Sequence, residues 1–264
     1  MIKNQKGSTL IVVLILLLLI TIIGSLAIRS SLVSLNIATN SQAQQLLIQS
    51  SDAAIYKVED PNFFVRNLAL DGLFGFIKSN ENKGKELVFC YRGDQTQFFN
   101  LSKASVMEWV SGNSPDNNNY GIDGYCKLKT TDNYFTSGRQ TVMTQVAVKV
   151  LDHSAISTLN EAINPFEYMQ QGTDTETAKI EAADRVLIIA TSIIPTLANG
   201  VTEDQIDECF SGRMNQVAIP ADVAATLDAN SPYRVDVARC MQNLGVPTNS
   251  QWSEYTLAQA FVQN

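Results

Sequence analysis

The chain has 264 residues, 45% of them hydrophobic, and a formal net charge of −7 at pH 7. That length suits one large domain or two small ones with real cores, and an acidic chain with no basic block is a poor general binder of nucleic acid. The four cysteines, Cys90, Cys126, Cys209 and Cys240, include no CxxC, so zinc-ribbon and thioredoxin chemistry lack support.

The N-terminus is the strongest signal. No residue between Lys6 and Arg29 is charged. The run from Gly7 to Ile28 would span roughly 33 Å as a helix, about the thickness of bilayer hydrocarbon. Lys3 and Lys6 precede it, which places the N-terminus in the cytoplasm and the rest of the chain outside. A cleaved signal peptide would have a shorter apolar core, although Gly24-Ser25-Leu26-Ala27 offers small residues. A plain membrane anchor is the other simple reading. The helical pattern continues past Arg29, however, with no proline before Pro61. Leu32, Leu35, Ala43, Leu46, Leu47, Ala54 and Val58 share one face, and Ser31, Ser34, Ser41, Gln45, Asp52 and Glu59 fall opposite. A helix over residues 8–59 would be roughly 78 Å long. An anchor alone has no need of that extension.

The stretch Lys6-Gly7-Ser8-Thr9-Leu10 and the run GSTLIVVLILLLLITIIGSLAIR resemble the N-terminus of PilX-type minor pilins, over about the first 60 residues. The resemblance implies a prepilin leader over residues 1–7, cleavage between Gly7 and Ser8 by a prepilin peptidase, methylation of the new terminus, and a long helix over 8–59 whose residues 8–28 cross the inner membrane. It implies a structural subunit of the type IV pilus that helps to initiate assembly and form the tip complex, with roles in twitching motility, adhesion or DNA uptake. Implied partners are other minor pilins and the major pilin through the helix, and a PilY-type tip adhesin. Two positions depart from the general pilin pattern. Ser8 stands where phenylalanine is often first, and Val12 stands where pilins carry glutamate. The second departure is itself a feature of PilX-type minor pilins and of K-type pseudopilins of type II secretion. A subunit that enters first has no earlier terminal amine to pair with a buried carboxylate, so valine avoids an unpaired charge.

Asp60-Pro61 predicts the end of the long helix. Residues 60–155 read as a β-containing head. Glu86 to Tyr91 is β-prone, and Thr141 to Leu151 alternates, with Val142, Thr144, Val146, Val148 and Val150 on one face and Met143, Gln145 and Lys149 on the other. Ser111 to Gly124 reads as loop throughout. Residues 156–264 read as a helical subdomain. Thr173 and Glu176 would cap a helix running toward Ile194, with Val186, Ile189, Ala190, Ile193, Ile194 and Leu197 as its buried stripe and Pro195 at its end. Thr202 and Gln205 would cap a second helix ending near Gly212. Ser231-Pro232 would open a third, closed by Gly245, and Ser250 a fourth through Val262. The fold class expected is therefore α+β and pilin-like: a long helix, an antiparallel sheet, then helices. Four cysteines allow three pairings, or four free thiols in a reducing compartment. Keeping each bridge inside one part gives Cys90–Cys126 and Cys209–Cys240.

No cofactor or metal site is indicated. His153, the single histidine, reads as an ordinary residue at a strand end. Asp116, Asn118 and Gly121 match three EF-hand positions, but Tyr120 and Lys127 stand where ligands should be. Asn100-Leu101-Ser102 fits a glycosylation acceptor. Nothing points to an enzyme. Two alternatives remain: a K-type minor pseudopilin, in which the helices interrupt the sheet rather than follow it, and a membrane-anchored periplasmic binding domain that is never cleaved after Gly7.

Overall fold

A 52-residue stretch without proline or an interior charge cluster forms one helix, α1, over Ser8–Glu59. The computed structural model describes residues 8–79, 81–93, 98–110, 114–119, 124–136, 138–151, 184–216 and 218–257. Gly7, His153, the Thr173/Glu176 capping pair and Gly121 lie outside these residues. Asp60 ends α1 and starts the next helix. Its carboxylate accepts from the Asn62 backbone N–H at 3.0 Å, and Pro61 takes the first position of α2 (Pro61–Leu68). A short helix, α3 (Leu73–Ile77), follows. At Gly72 a Cβ would lie 2.3 Å from the Arg66 carbonyl oxygen, so only glycine lets the turn fold back on α2.

Among the described residues six strands form one antiparallel sheet: β1 (Glu86–Tyr91), β2 (Ser105–Glu108), β3 (Asp116–Asn119), β4 (Met143–Leu151), β5 (Asp184–Ile193) and β6 (Thr248–Leu257). Their order is β3-β2-β1-β4-β5-β6. Three helices separate β5 from β6: α4 (Glu203–Gly212), α5 (Ala221–Thr226) and α6 (Val237–Asn243). By contact density the chain divides into residues 1–45 and a larger unit, residues 46–264, which holds the end of α1 and the whole sheet.

The alternation of the strands sorts two cores. Leu87, Phe89, Val146, Val148, Val186 and Ile188 pack with Ala54 and Val58 of α1 and Leu73, Phe74 and Ile77 of α3. On the other face Val88, Ala147, Leu187 and Ile189 pack with Met214, while Cys90, Met143 and Ile193 meet Ile206, Phe210, Val237 and Met241 of α4 and α6. Helices therefore cover both faces of β4 and β5.

Several expectations change. Val186 to Ile193 is a strand, not a helix. A strand buried on both faces is apolar at successive positions, so its residues also satisfy a 3.6-residue spacing. Ser250 opens no helix, because it lies inside β6, a polar edge strand paired only with β5. The helical part is thus an insertion between two strands of the sheet rather than a subdomain following it. Asp116–Asn119, expected to be loop, is the opposite edge strand, held by backbone pairing to β2 despite its asparagines. The buried stripe of α1 in the larger unit is Leu47, Ser50, Ser51, Ala54 and Val58, while Leu32, Leu35 and Leu46, assigned to the same face, are exposed. Ser231 caps only a single turn over Pro232–Arg234, and the helix closed by Gly245 begins at the Asp236 cap.

Candidate functional site: the N-terminal helix and its platform

The apolar part of α1 satisfies its own polar groups. Every backbone donor beyond the first turn is inside the helix, and the Thr21 hydroxyl donates to the Leu18 carbonyl at 2.8 Å. This is the condition for a segment to sit in hydrocarbon, where no water completes a missing hydrogen bond. Leu10 through Ile28 present their large side chains to the outside, and the most apolar window has mean hydropathy 3.2. The helix is long and apolar enough to cross a membrane. Ser8 is its first residue and Val12 lies one turn on, with its side chain exposed among leucines and isoleucines.

The other end of α1 is fastened by hydroxyls. Ser50 Oγ lies 2.7 Å from Thr144 Oγ1, which lies 2.7 Å from Ser192 Oγ. Asn249 Nδ2 donates to Ser51 Oγ at 2.9 Å. One turn of the helix is thereby tied to β4, β5 and β6 in succession. Buried and mutually satisfied, such groups fix register where apolar packing alone would let the helix slide.

On the opposite face one disulfide braces the insertion internally, another braces the sheet side, and hydrogen bonds at three points, Gln145, Asp207 and Glu86, attach the two. Cys209 of α4 is bonded to Cys240 of α6, with Cα atoms 5.8 Å apart. Cys90, in β1, is bonded to Cys126, with Cα atoms 4.9 Å apart. Between the two bridges, the fully buried Gln145 accepts from the Cys126 N–H at 3.2 Å and donates to the Phe210 carbonyl at 3.3 Å. Asp207 accepts from the Leu128 N–H at 2.9 Å, and burial raises its carboxyl above the usual 3.8. The third point is Glu86, fully buried in β1. Its carboxylate accepts from the Asn215 N–H (2.7 Å), the Asn215 side-chain amide (3.1 Å) and the Gln216 N–H (3.0 Å). Lys149 is its cross-strand partner. Burial lowers the Lys149 ammonium pKa and the Glu86 charge opposes that shift. Sequence reasoning missed Glu86, Gln145 and Asp207. For Glu86 and Gln145 the one available signal was polar residues alternating into apolar strands, which reads as a solvent face unless something covers it; Asp207, in α4, reads as an ordinary polar helix residue.

The structure thus brings the cysteines together in two pairs on the insertion side and sets Ser8 and Val12 together at the start of α1. Among the described residues no cluster of three or more His, Cys, Asp or Glu could hold a metal ion. No curated protein and no solved structure matches the chain. Residues 6–55 match the family model described as PilX N-terminal. That match starts at Lys6 and covers nearly all of α1 but none of the sheet. Over residues 6–55 the chain is similar to the N-terminal domain of PilX-type pilins, and that similarity lies on a helix long and apolar enough to cross a membrane.

Proposed function

We propose that the protein is a minor pilin that enters a type IV pilus first and remains at its tip. The observation that carries this is a PilX N-terminal match lying on one uninterrupted helix with Val12 one turn from its start. In this reading the prepilin peptidase cuts after Gly7 on the cytoplasmic side of the inner membrane, and the head folds in the periplasm. The helix then leaves the bilayer to pack with other minor pilins and the major pilin, and the head supports a PilY-type tip adhesin. Exposed aliphatic side chains that suit lipid also suit helix-to-helix packing, so one surface serves both stages. Ser8 offers its amine to the glutamate of the next subunit, while Val12 needs no amine above it. Introducing Val12→Glu leaves piliation unchanged or reduces it. Immunogold labelling that found the protein along the shaft at high copy number would overturn the tip assignment.

A second reading is favoured by one observation. Helices α4–α6 interrupt the sheet between β5 and β6, the arrangement that the resemblance attaches to K-type pseudopilins. Deleting the gene separates the two machines: loss of pili supports the first, and loss of secreted enzymes with intact pili supports the second.

A further inference from the structure

A groove of about 470 Å³ lies on the insertion side of the sheet, where β5 and β6 meet the loop after α4 and the start of α6. Its floor includes Ile189, and its wall is Trp252, 70% exposed although it stands in the middle of β6. Five further lining residues carry side-chain oxygens: Asn215, Gln216, Asp236, Ser250, whose hydroxyl pairs with Thr191, and Glu254. Asn215 is only 7% exposed. Its amide nitrogen is used by Glu86, and its Oδ1 has no hydrogen-bond partner. Gln216 Oε1, also buried, has none. The two carboxylates are only part-committed: Asp236 caps α6, and Glu254 pairs with Arg185. Unused acceptors beside an exposed indole call for a ligand rich in N–H donors with a flat face.

We propose that this groove receives an arginine side chain presented by a partner protein. A guanidinium stacks on an indole and keeps its in-plane donors free for the amide and carboxylate oxygens, which a lysine ammonium cannot do together. The charge is complementary, since the described lining includes Asp236 and Glu254 and no lysine or arginine, Glu254 being paired with Arg185 from outside the groove. Trp252 is covered on one side only, whereas small-molecule sites enclose most of their ligand. A shelf of this kind suits a side chain whose remainder is carried by another protein, and arginine and tryptophan are typical anchors of such contacts. The proposal concerns the head alone and stands apart from processing at Gly7.

The test uses the full chain in zwitterionic detergent and follows tryptophan fluorescence during titration with N-acetyl-arginine amide, with the lysine analogue and free L-arginine as comparisons. The proposal expects a saturable change with the blocked arginine that is lost in Trp252→Leu, an exposed position whose folding is checked by circular dichroism. It expects Gln216→Leu, which removes one unpartnered oxygen, to weaken binding about five- to tenfold. An equal response to the lysine analogue, no effect of Gln216→Leu, or no saturable change overturns it. Tighter binding of free L-arginine overturns the partner assignment in favour of a metabolite site.

Discussion

Replacing Glu86 with alanine removes the acceptor of three hydrogen bonds at once. The Asn215 and Gln216 N–H groups would then be buried without a partner, and Lys149 would lose the negative charge across the strand. Breaking a buried, hydrogen-bonded charge in this way costs about 3–5 kcal/mol. For a unit of this size each kcal/mol moves Tm by about 2–4 °C, so Glu86→Ala should lower Tm by roughly 6–20 °C. The assay is thermal unfolding of the full chain in detergent, followed by near-ultraviolet circular dichroism. Lys149→Met added to Glu86→Ala should recover part of the loss, because it removes the ammonium left without its counter-charge. A drop under about 1 kcal/mol, or strictly additive effects in the double variant, would refute the claim that this carboxylate holds the insertion to the sheet.

Removing the Cys209–Cys240 bridge by a double serine substitution should cost about 3–4 kcal/mol, since it frees a loop with sequence separation 31; reduction-dependent Tm measurements on wild type and variant check this. Asp207 should weaken the fold at neutral pH. Its folded pKa lies above the unfolded value near 3.8, so between these two values the folded state binds more protons and stability falls as pH rises. Asp207→Asn keeps the acceptor for Leu128 and should be neutral or stabilising at pH 7, with a flatter denaturation profile against pH.

The helix α1 was legible because its constraints act on the sequence locally: residues 8–28 carry no charge, no proline occurs before Pro61, and Asp60-Pro61 marks the end. The Thr202/Gln205 capping box of α4 was legible for the same reason, and both of its reciprocal hydrogen bonds form. Strand β4 declared itself through strict alternation. Strand β5 did not, because its residues are apolar on both covered faces, where β4 keeps Gln145 and Lys149 on one, although Val186, Ile188, Ile189, Thr191 and Ile193 are β-branched residues that favour a strand. Strand β6 was obscured for the opposite reason: one face of an edge strand needs little hydrophobicity, and TNSQWSEYTL has the composition of a surface helix or a loop. The misreading of these two strands concealed that α4–α6 form an insertion. The anchoring residues Glu86, Gln145 and Asp207 are set by long-range pairing, which no local window records.

The central claim is most directly tested by the mass of the N-terminal peptide of the protein recovered from membranes. Processing as a pilin predicts a chain that begins at Ser8, with the seven-residue leader gone. A chain that retains Met1 or Ile2, or one cut beyond the apolar segment near Ala27, would contradict the account.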